Sequence, residues 1–499
     1  MLLSPFCLLP LLLPTANAVR HHEFKRCDQS SFCRRLRRLN DHTSQYTNFP
    51  SPYSVLSSED LSFQASSSTL KAAIKNALHP DIQFELSVKI HEDGTARVQM
   101  DQVGKTYKGW KRYNEAELWS FESYPVSAGS SSVAFSKGAD RATLRYGPGE
   151  AFALEMQHEP LKLTFLRDGV PQIVMNERAL LQMEHFRAKP DPFPSIKPHD
   201  SQEDKDQAQL VIQNRKRDSY LGSGVGKATA EMWTKFEEED DGEWEENFSG
   251  KPDSKPKGPE ALSMDITFVG YDHVFGIPEH ASPLSLRSTR GKDPADYKDP
   301  YRLFNLDVFE YEHDSPMSLY GAIPVMHAQA PNSSVSVFWL NGAETWIDIE
   351  KGPSKLLKSS PGIGKGGQSG KDTNTQWMSE SGILDVLVYL GPDVNKNMDL
   401  FTRHTGRTAM PQYFALGYHQ CRWNYLSTSD ILQVNEKFDE EDVSRAALDV
   451  RYTISRNQLT RALFHCRSRW TCCGSTLNTP RTTCTAYGTK PTSLTPKAC

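Results

Sequence analysis

Residues 82–100 read IQFELSVKIHEDGTARVQM, and the fold is decided here. Ile82, Phe84, Leu86, Val88 and Ile90 alternate with polar neighbours, Glu92-Asp93-Gly94-Thr95 interrupts the run, and Ala96, Val98 and Met100 resume it. A period of two puts every apolar side chain on one face of an extended strand, and an Asp-Gly turn between two such runs predicts an antiparallel hairpin. The arrangement returns at 151–175. There Phe152, Leu154 and Met156 precede Leu161, Leu163 and Phe165, and Asp168-Gly169 turns the chain toward Ile173 and Met175. Repeated hairpins at short spacing predict a β-sandwich rather than βαβ units.

Further strands are expected at 263–277, 304–312, 334–349 and 383–390, the third run turning at Asn341-Gly342. Residues 190–260 are rich in Asp, Glu, Lys, Gly and Pro, with the acidic run Glu237-Glu238-Glu239-Asp240-Asp241, and predict a solvated, partly disordered insertion. No His or Cys is interleaved with that run, so a metal site is not expected there. Residues 351–375 read as a Gly/Lys/Ser-rich loop. The segment 20–75 opens with Arg34, Arg35, Arg37 and Arg38, continues rich in Ser, and reads as solvated surface. At 413–442 the pattern becomes α/β: a strand from Tyr413 to His419, then a helix capped by Ser427-Thr428-Ser429-Asp430 with Ile431, Val434, Asn435 and Phe438 on one face. Gly222-Ser-Gly-Val-Gly-Lys is not a phosphate loop, because Leu221 stands where the first Gly is needed and Ala228 where a Ser or Thr is needed.

A chain of 499 residues has room for several domains, and 37% hydrophobic with 10% aromatic content suits a globular core with polar insertions. The net charge of −5 does not suggest nucleic acid or an anionic membrane surface as a bulk partner. Residues 2–13 form a Leu-rich apolar run, and Ala16-Asn17-Ala18 places small residues at a cleavage site, so residues 1–18 are expected to be a secretory leader. Later runs fall short of the ~18 apolar residues of a spanning helix. In an oxidising compartment Cys27 and Cys33 are close enough to close a small disulfide loop. Asn247-Phe-Ser and Asn332-Ser-Ser are N-glycosylation acceptors, whereas Asn478-Thr-Pro is excluded by its proline.

Four phrases carry a family resemblance: the stretch 243–281 (EWEENFSGKPDSKPKGPEALSMDITFVGYDHVFGIPEHA), YRLFNLDVFEYEHDSPMSLYGAIPVMHA at 301–328, VFWLNGAETWIDI at 337–349 and PQYFALGYHQCRWNY at 411–425. Together they resemble the glucosidase II type of glycoside hydrolase family 31 across roughly residues 19–442. The resemblance implies a mainly β architecture. It consists of a galactose-mutarotase-like β-sandwich followed by the start of an incomplete (β/α)₈ barrel and an irregular tail. The boundaries expected are 19–80 for an N-terminal segment, 81–400 for the sandwich with its insertion at about 190–260, 401–442 for the first βα unit, and 443–499 for the Cys/Arg/Thr-rich tail.

The implied activity is hydrolysis of terminal α-linked glucose from N-glycans with retention, in the endoplasmic-reticulum lumen. It uses no cofactor or metal, and the family pairs the catalytic chain with a non-catalytic β subunit. Asp307 in FNLDVFE matches a family aspartate that contacts substrate hydroxyls. Arg422 and Trp423 follow the expected first barrel strand, at the end where barrel sites form, and are expected to pack near the site rather than contact substrate. Retention needs two carboxyl groups roughly 5–5.5 Å apart. No W-x-D-M-N-E phrase occurs, and no Asp or Glu occurs from Val450 to Cys499. No catalytic residue is therefore assigned, and this polypeptide is expected to be inactive. The alternatives are a non-catalytic carbohydrate-associated sandwich and a reading frame that departs from the family after residue 442.

Overall fold

The computed structural model describes residues 23–104, 106–123, 125–129, 132–189, 200–237, 242–291, 296–308, 311–354, 370–412, 416 and 427–441. The first helix is α1 (Ser31–Thr43). Strands β1 (Tyr53–Val55), β2 (Leu61–Gln64), β3 (Thr69–Asn76), β4 (Gln83–Ile90) and β5 (Ala96–Val103) follow. After the short α2 (Ala116–Ser120) come β6 (Ala134–Lys137), β7 (Arg141–Tyr146), β8 (Phe152–Gln157), β9 (Lys162–Arg167), β10 (Val170–Met175) and β11 (Gln182–Met183). Helices α3 (Gln202–Gly222) and α4 (Lys227–Thr234) and the hairpin β12 (Glu245–Phe248) and β13 (Lys251–Ser254) precede β14 (Leu262–Phe268), β15 (His273–Gly276) and β16 (Tyr301–Leu303). Then come β17 (Val325–Ala330), β18 (Ser333–Trp339), β19 (Thr345–Pro353), β20 (Lys371–Ser379), β21 (Leu384–Tyr389) and α5 (Val394–Thr405).

Among the described residues, two antiparallel sheets make the sandwich. One runs β1-β3-β4-β5-β21-β18-β17-β15 with β2 beside β3, and the other β16-β19-β20-β14-β10-β9-β8-β7-β6 with β11 beside β14. The hairpin read at 82–100 is β4–β5, with Leu86 opposite Met100 and Val88 opposite Val98. The second reading is the meander β8–β9–β10. Its Asp168-Gly169 turn needs a left-handed backbone at both positions (φ 51° and 75°), which Asp tolerates and Gly adopts freely. Inward residues of both sheets, among them Leu86, Val98, Val337 and Val386 from one and Phe165, Ile266, Ile347 and Trp377 from the other, form one core. Trp339 of β18 stacks on Trp377 of β20 at 5.6 Å across it, and each such fully buried apolar side chain stabilises the fold by about 1.5–3 kcal/mol.

Strands β14, β18 and β21 are buried along their whole length, because their outer faces are covered as well: α5 lies on β18 and β21, and Arg178 and Leu180 bond to Asp265 of β14. Helix α1 brings Phe32 and Leu36 against Trp346 and Met378, while Leu400 of α5 packs on Phe338, Leu387 and Tyr389.

Four sequence expectations are corrected. Of the segment 304–312, the described residues 304–308 and 311–312 form no strand, since β16 ends at Leu303. Within 351–375 the described chain enters β20, whose polar residues are buried and satisfied: Thr373 and Thr375 hydroxyls donate to the Tyr271 and Ile266 carbonyls. The arginines of α1 are not simply solvated. Arg35 binds Glu184 through Nε–Oε1 at 3.0 Å and Nη2–Oε2 at 2.9 Å, and Arg37 binds Asp348 through Nε–Oδ2 at 2.9 Å and Nη2–Oδ1 at 3.1 Å. The described part of the acidic insertion is folded. Ser201 and Asp204 cap α3 reciprocally, and Tyr220, Ala230 and Trp233 pack on Leu39, Leu78 and Leu180. Few apolar residues mark these helices because only one narrow stripe of each reaches the core.

The chain divides at Arg407/Thr408. In the second unit, helix α6 (Thr428–Glu440) begins at Ser427, whose Oγ accepts the Asp430 amide at 3.2 Å. The strand expected from Tyr413 to His419 and the tail lie outside the described residues, as does the leader at 1–18.

Candidate functional site

Beyond β16 the chain crosses the loops 304–324 before entering β17, and these loops are fixed by hydrogen bonds rather than by a ladder. Leu306 N donates to Leu319 O at 2.7 Å, and Leu319 N to Glu279 O at 3.0 Å. Asn305 Nδ2 donates to Tyr320 O at 2.7 Å, and Gly321 N to Glu279 Oε2 at 2.7 Å. Val308 is buried beneath. Asp307 is thereby left exposed on a loop that is itself held in place.

One oxygen of Asp307 has a partner, since the Tyr320 hydroxyl donates to Oδ1 at 2.9 Å and also lies 3.3 Å from the Val308 carbonyl. That carboxylate, with partial burial second, raises the Tyr320 phenol above its ordinary pKa, so it stays a donor. Among the described residues Oδ2 makes no hydrogen bond. Phe304 (41% exposed), Tyr311 (54%), Tyr320 (49%) and Ile323 (47%) surround this carboxylate in sequence and remain open. Arg302 lies over the Phe304 ring at 4.5 Å and the Trp346 ring at 5.1 Å, and its Nε donates to Glu344 Oε1 at 3.1 Å. A fixed carboxylate with open acceptor capacity is suited to a polyhydroxylated ligand, because charge-assisted hydrogen bonds give orientation.

Sequence reading singled out Asp307 and missed Tyr320. Both fall in the phrase 301–328, but no local period links residues thirteen apart across an irregular loop. Arg422 and Trp423 lie outside the described residues. Cys27 and Cys33 are joined, with Cα atoms 5.3 Å apart, and tie the turn before α1 to that helix. Asn247 is exposed in β12, and Asn332 is exposed in the turn between β17 and β18. Among the described residues no cluster of three His, Cys, Asp or Glu side chains is placed to hold a metal ion, and no helix is long and apolar enough to cross a membrane.

Comparison with known proteins gives the same architecture in two parts. Residues 85–348 match the glycosyl hydrolase 31 N-terminal galactose mutarotase-like domain, and residues 408–462 match the glycosyl hydrolases family 31 TIM-barrel domain. The chain is 35% identical to glucosidase 2 subunit alpha of Schizosaccharomyces pombe over 88% of its own length and 43% of that protein's. It is 33% identical to the human neutral alpha-glucosidase AB over 85% of itself and 41% of that protein. A solved glucosidase II alpha subunit, bound to Glc1Man2, superposes with a TM-score of 0.67 at 39% identity, covering 85% of this chain and 42% of that one. Another solved structure is a heterodimer of the catalytic subunit with the binding domain of its regulatory subunit, matched at a TM-score of 0.66. The chain thus spans about two fifths of the length of the relatives it matches.

Proposed function

The chain belongs to glycoside hydrolase family 31, on its glucosidase II alpha side, and from that premise we propose that its loops 304–324 form the sandwich's share of an α-glucosidase substrate site. The substrate class is the terminal α-linked glucose of N-glycans, hydrolysed with retention by the whole enzyme in the endoplasmic-reticulum lumen. A regulatory β subunit is the expected partner. Asp307 holds sugar hydroxyls, and Tyr320 fixes its carboxylate. The observation that carries this reading is the exposed Asp307 carboxylate, anchored at 2.9 Å by Tyr320 within the family-matching phrase.

The 499-residue polypeptide does not itself hydrolyse glucosides on this reading. Double displacement requires a nucleophile and a proton donor on facing carboxyl groups. The sequence carries neither the W-x-D-M-N-E phrase nor any acid between Val450 and Cys499.

Joining residues 19–442 to the barrel of the fission-yeast relative tests the binding role. Loss of a charge-assisted hydrogen bond costs about 1.5–3 kcal/mol, so Asp307→Ala should lower kcat/KM on an α-glucoside about 10- to 150-fold. Unchanged kcat/KM would remove Asp307 from the site.

A further inference from the structure

Two hairpins carry exposed asparagines that the sugar-site reading does not use, and we propose that Asn247 and Asn332 carry N-linked glycans. Asn332 shares a two-residue loop with Pro331, closed where Ala330 pairs with Ser333. Both loop residues are exposed, and the Asn332 side chain makes no hydrogen bond among the described residues. Asn247 lies just before the Ser249-Gly250 turn, where Phe248 pairs with Lys251. Its Oδ1 accepts the Gly250 amide at 3.1 Å, while its Nδ2 has no hydrogen-bond partner among the described residues. In each case the amide nitrogen that becomes glycosylated is not needed by the fold.

The Asn332 triplet also fixes the order of events. Ser334, its hydroxyl member, is buried, accepts from Asn397 Nδ2 at 3.3 Å and donates its amide to the Pro392 carbonyl at 2.9 Å. That hydroxyl is presentable only before β18 docks, so transfer precedes folding of this hairpin. In the transfer, Nδ2 attacks the anomeric carbon of a lipid-pyrophosphate-linked oligosaccharide. A C–N bond forms, the C–O bond to the pyrophosphate breaks, the amide proton goes to a base of the transferase, and the lipid pyrophosphate leaves. The finished glycan does not obstruct the sugar site. Strand β17 separates its turn from the loops of Asp307 and Tyr320, about 20 Å away at ~3.4 Å per residue.

The assignment is independent of the sugar-site reading and is tested on the full chain made in a eukaryotic secretory host. Peptide N-glycosidase should increase its electrophoretic mobility and leave Asp in place of Asn at positions 247 and 332 by mass spectrometry. Asn332→Gln and Asn247→Gln should each remove one glycan step, and the double variant both. Because both side chains are exposed, the variants keep the wild-type fold, checked by their thermal transitions. Mobility unaffected by the glycosidase overturns the proposal, and an unmodified Asn at either position overturns the assignment for that hairpin.

Discussion

Asp348 is 1% exposed and receives four hydrogen bonds: from Arg37 Nε (2.9 Å) and Nη2 (3.1 Å), Arg290 Nη1 (3.2 Å) and Thr289 Oγ1 (2.7 Å). It is where α1 is fastened to β19, so Asp348→Ala tests whether the N-terminal segment is structural. Removing one partner of a buried ion pair costs about 3–5 kcal/mol, mostly for the charge left behind. Here the arginines keep other acceptors. Arg37 Nη2 still donates to the Lys298 carbonyl at 2.6 Å, and Arg290 keeps Asp41 and the Tyr297 hydroxyl. The expected cost is therefore near the lower end, about 3 kcal/mol. Urea unfolding followed by tryptophan fluorescence reads it, because the stacked Trp339 and Trp377 report the core directly. The midpoint should fall with m unchanged. The double variant R37M/D348A should cost at least about 1 kcal/mol less than the sum of the singles, since the coupled pair is then removed together. A loss below about 1 kcal/mol for Asp348→Ala, or strict additivity, would refute the fastening role.

The Cys27–Cys33 bond closes a loop of sequence separation 6, which on the chain-entropy account stabilises by about 2 kcal/mol. Alkylation without reductant should leave both thiols unlabelled, and labelling of both would count against the bond. Acid should loosen the insertion through His79 and His185, whose rings meet edge to face at 4.6 Å. Burial foremost, with Arg187 and Lys216 near His79, and with His79, Arg187 and Arg112 near His185, holds them at about 4 and about 3 against the ordinary 6.5, while Glu243 opposes the shift. Both folded values are depressed, so the unfolded chain takes up protons first. Stability is then full above pH 6.5 and declines as the pH falls from there through 4 to about 3. His185→Gln should flatten that decline, and an identical pH slope in variant and wild type would contradict it.

The sandwich was legible wherever one face of a strand meets the core and the other does not, as in β4 and β5. It was less legible where helices cover the second face. In β20 the sequence Lys-Asp-Thr-Asn-Thr-Gln looks like loop, yet Asp372 accepts the Gly270 amide at 2.7 Å and the threonines bond to neighbouring backbone, so polarity and burial coexist. The arginines of α1 read as solvated because their acids, Glu184 and Asp348, lie 149 and 311 residues away. Asp307 was legible only through a family phrase. Tyr320, its anchor, needed the tertiary path of the loop, since side-chain hydrogen bonding across irregular backbone leaves no period to read.

Glucose release by the purified 499-residue chain from an α-1,3-linked diglucoside tests the account most directly. On the proposed reading the chain should show none above a blank, because its sequence carries no W-x-D-M-N-E phrase to supply the nucleophile of double displacement. Turnover that copurifies with the chain and is lost in Asp307→Ala would contradict that claim and place a working carboxyl pair within this polypeptide.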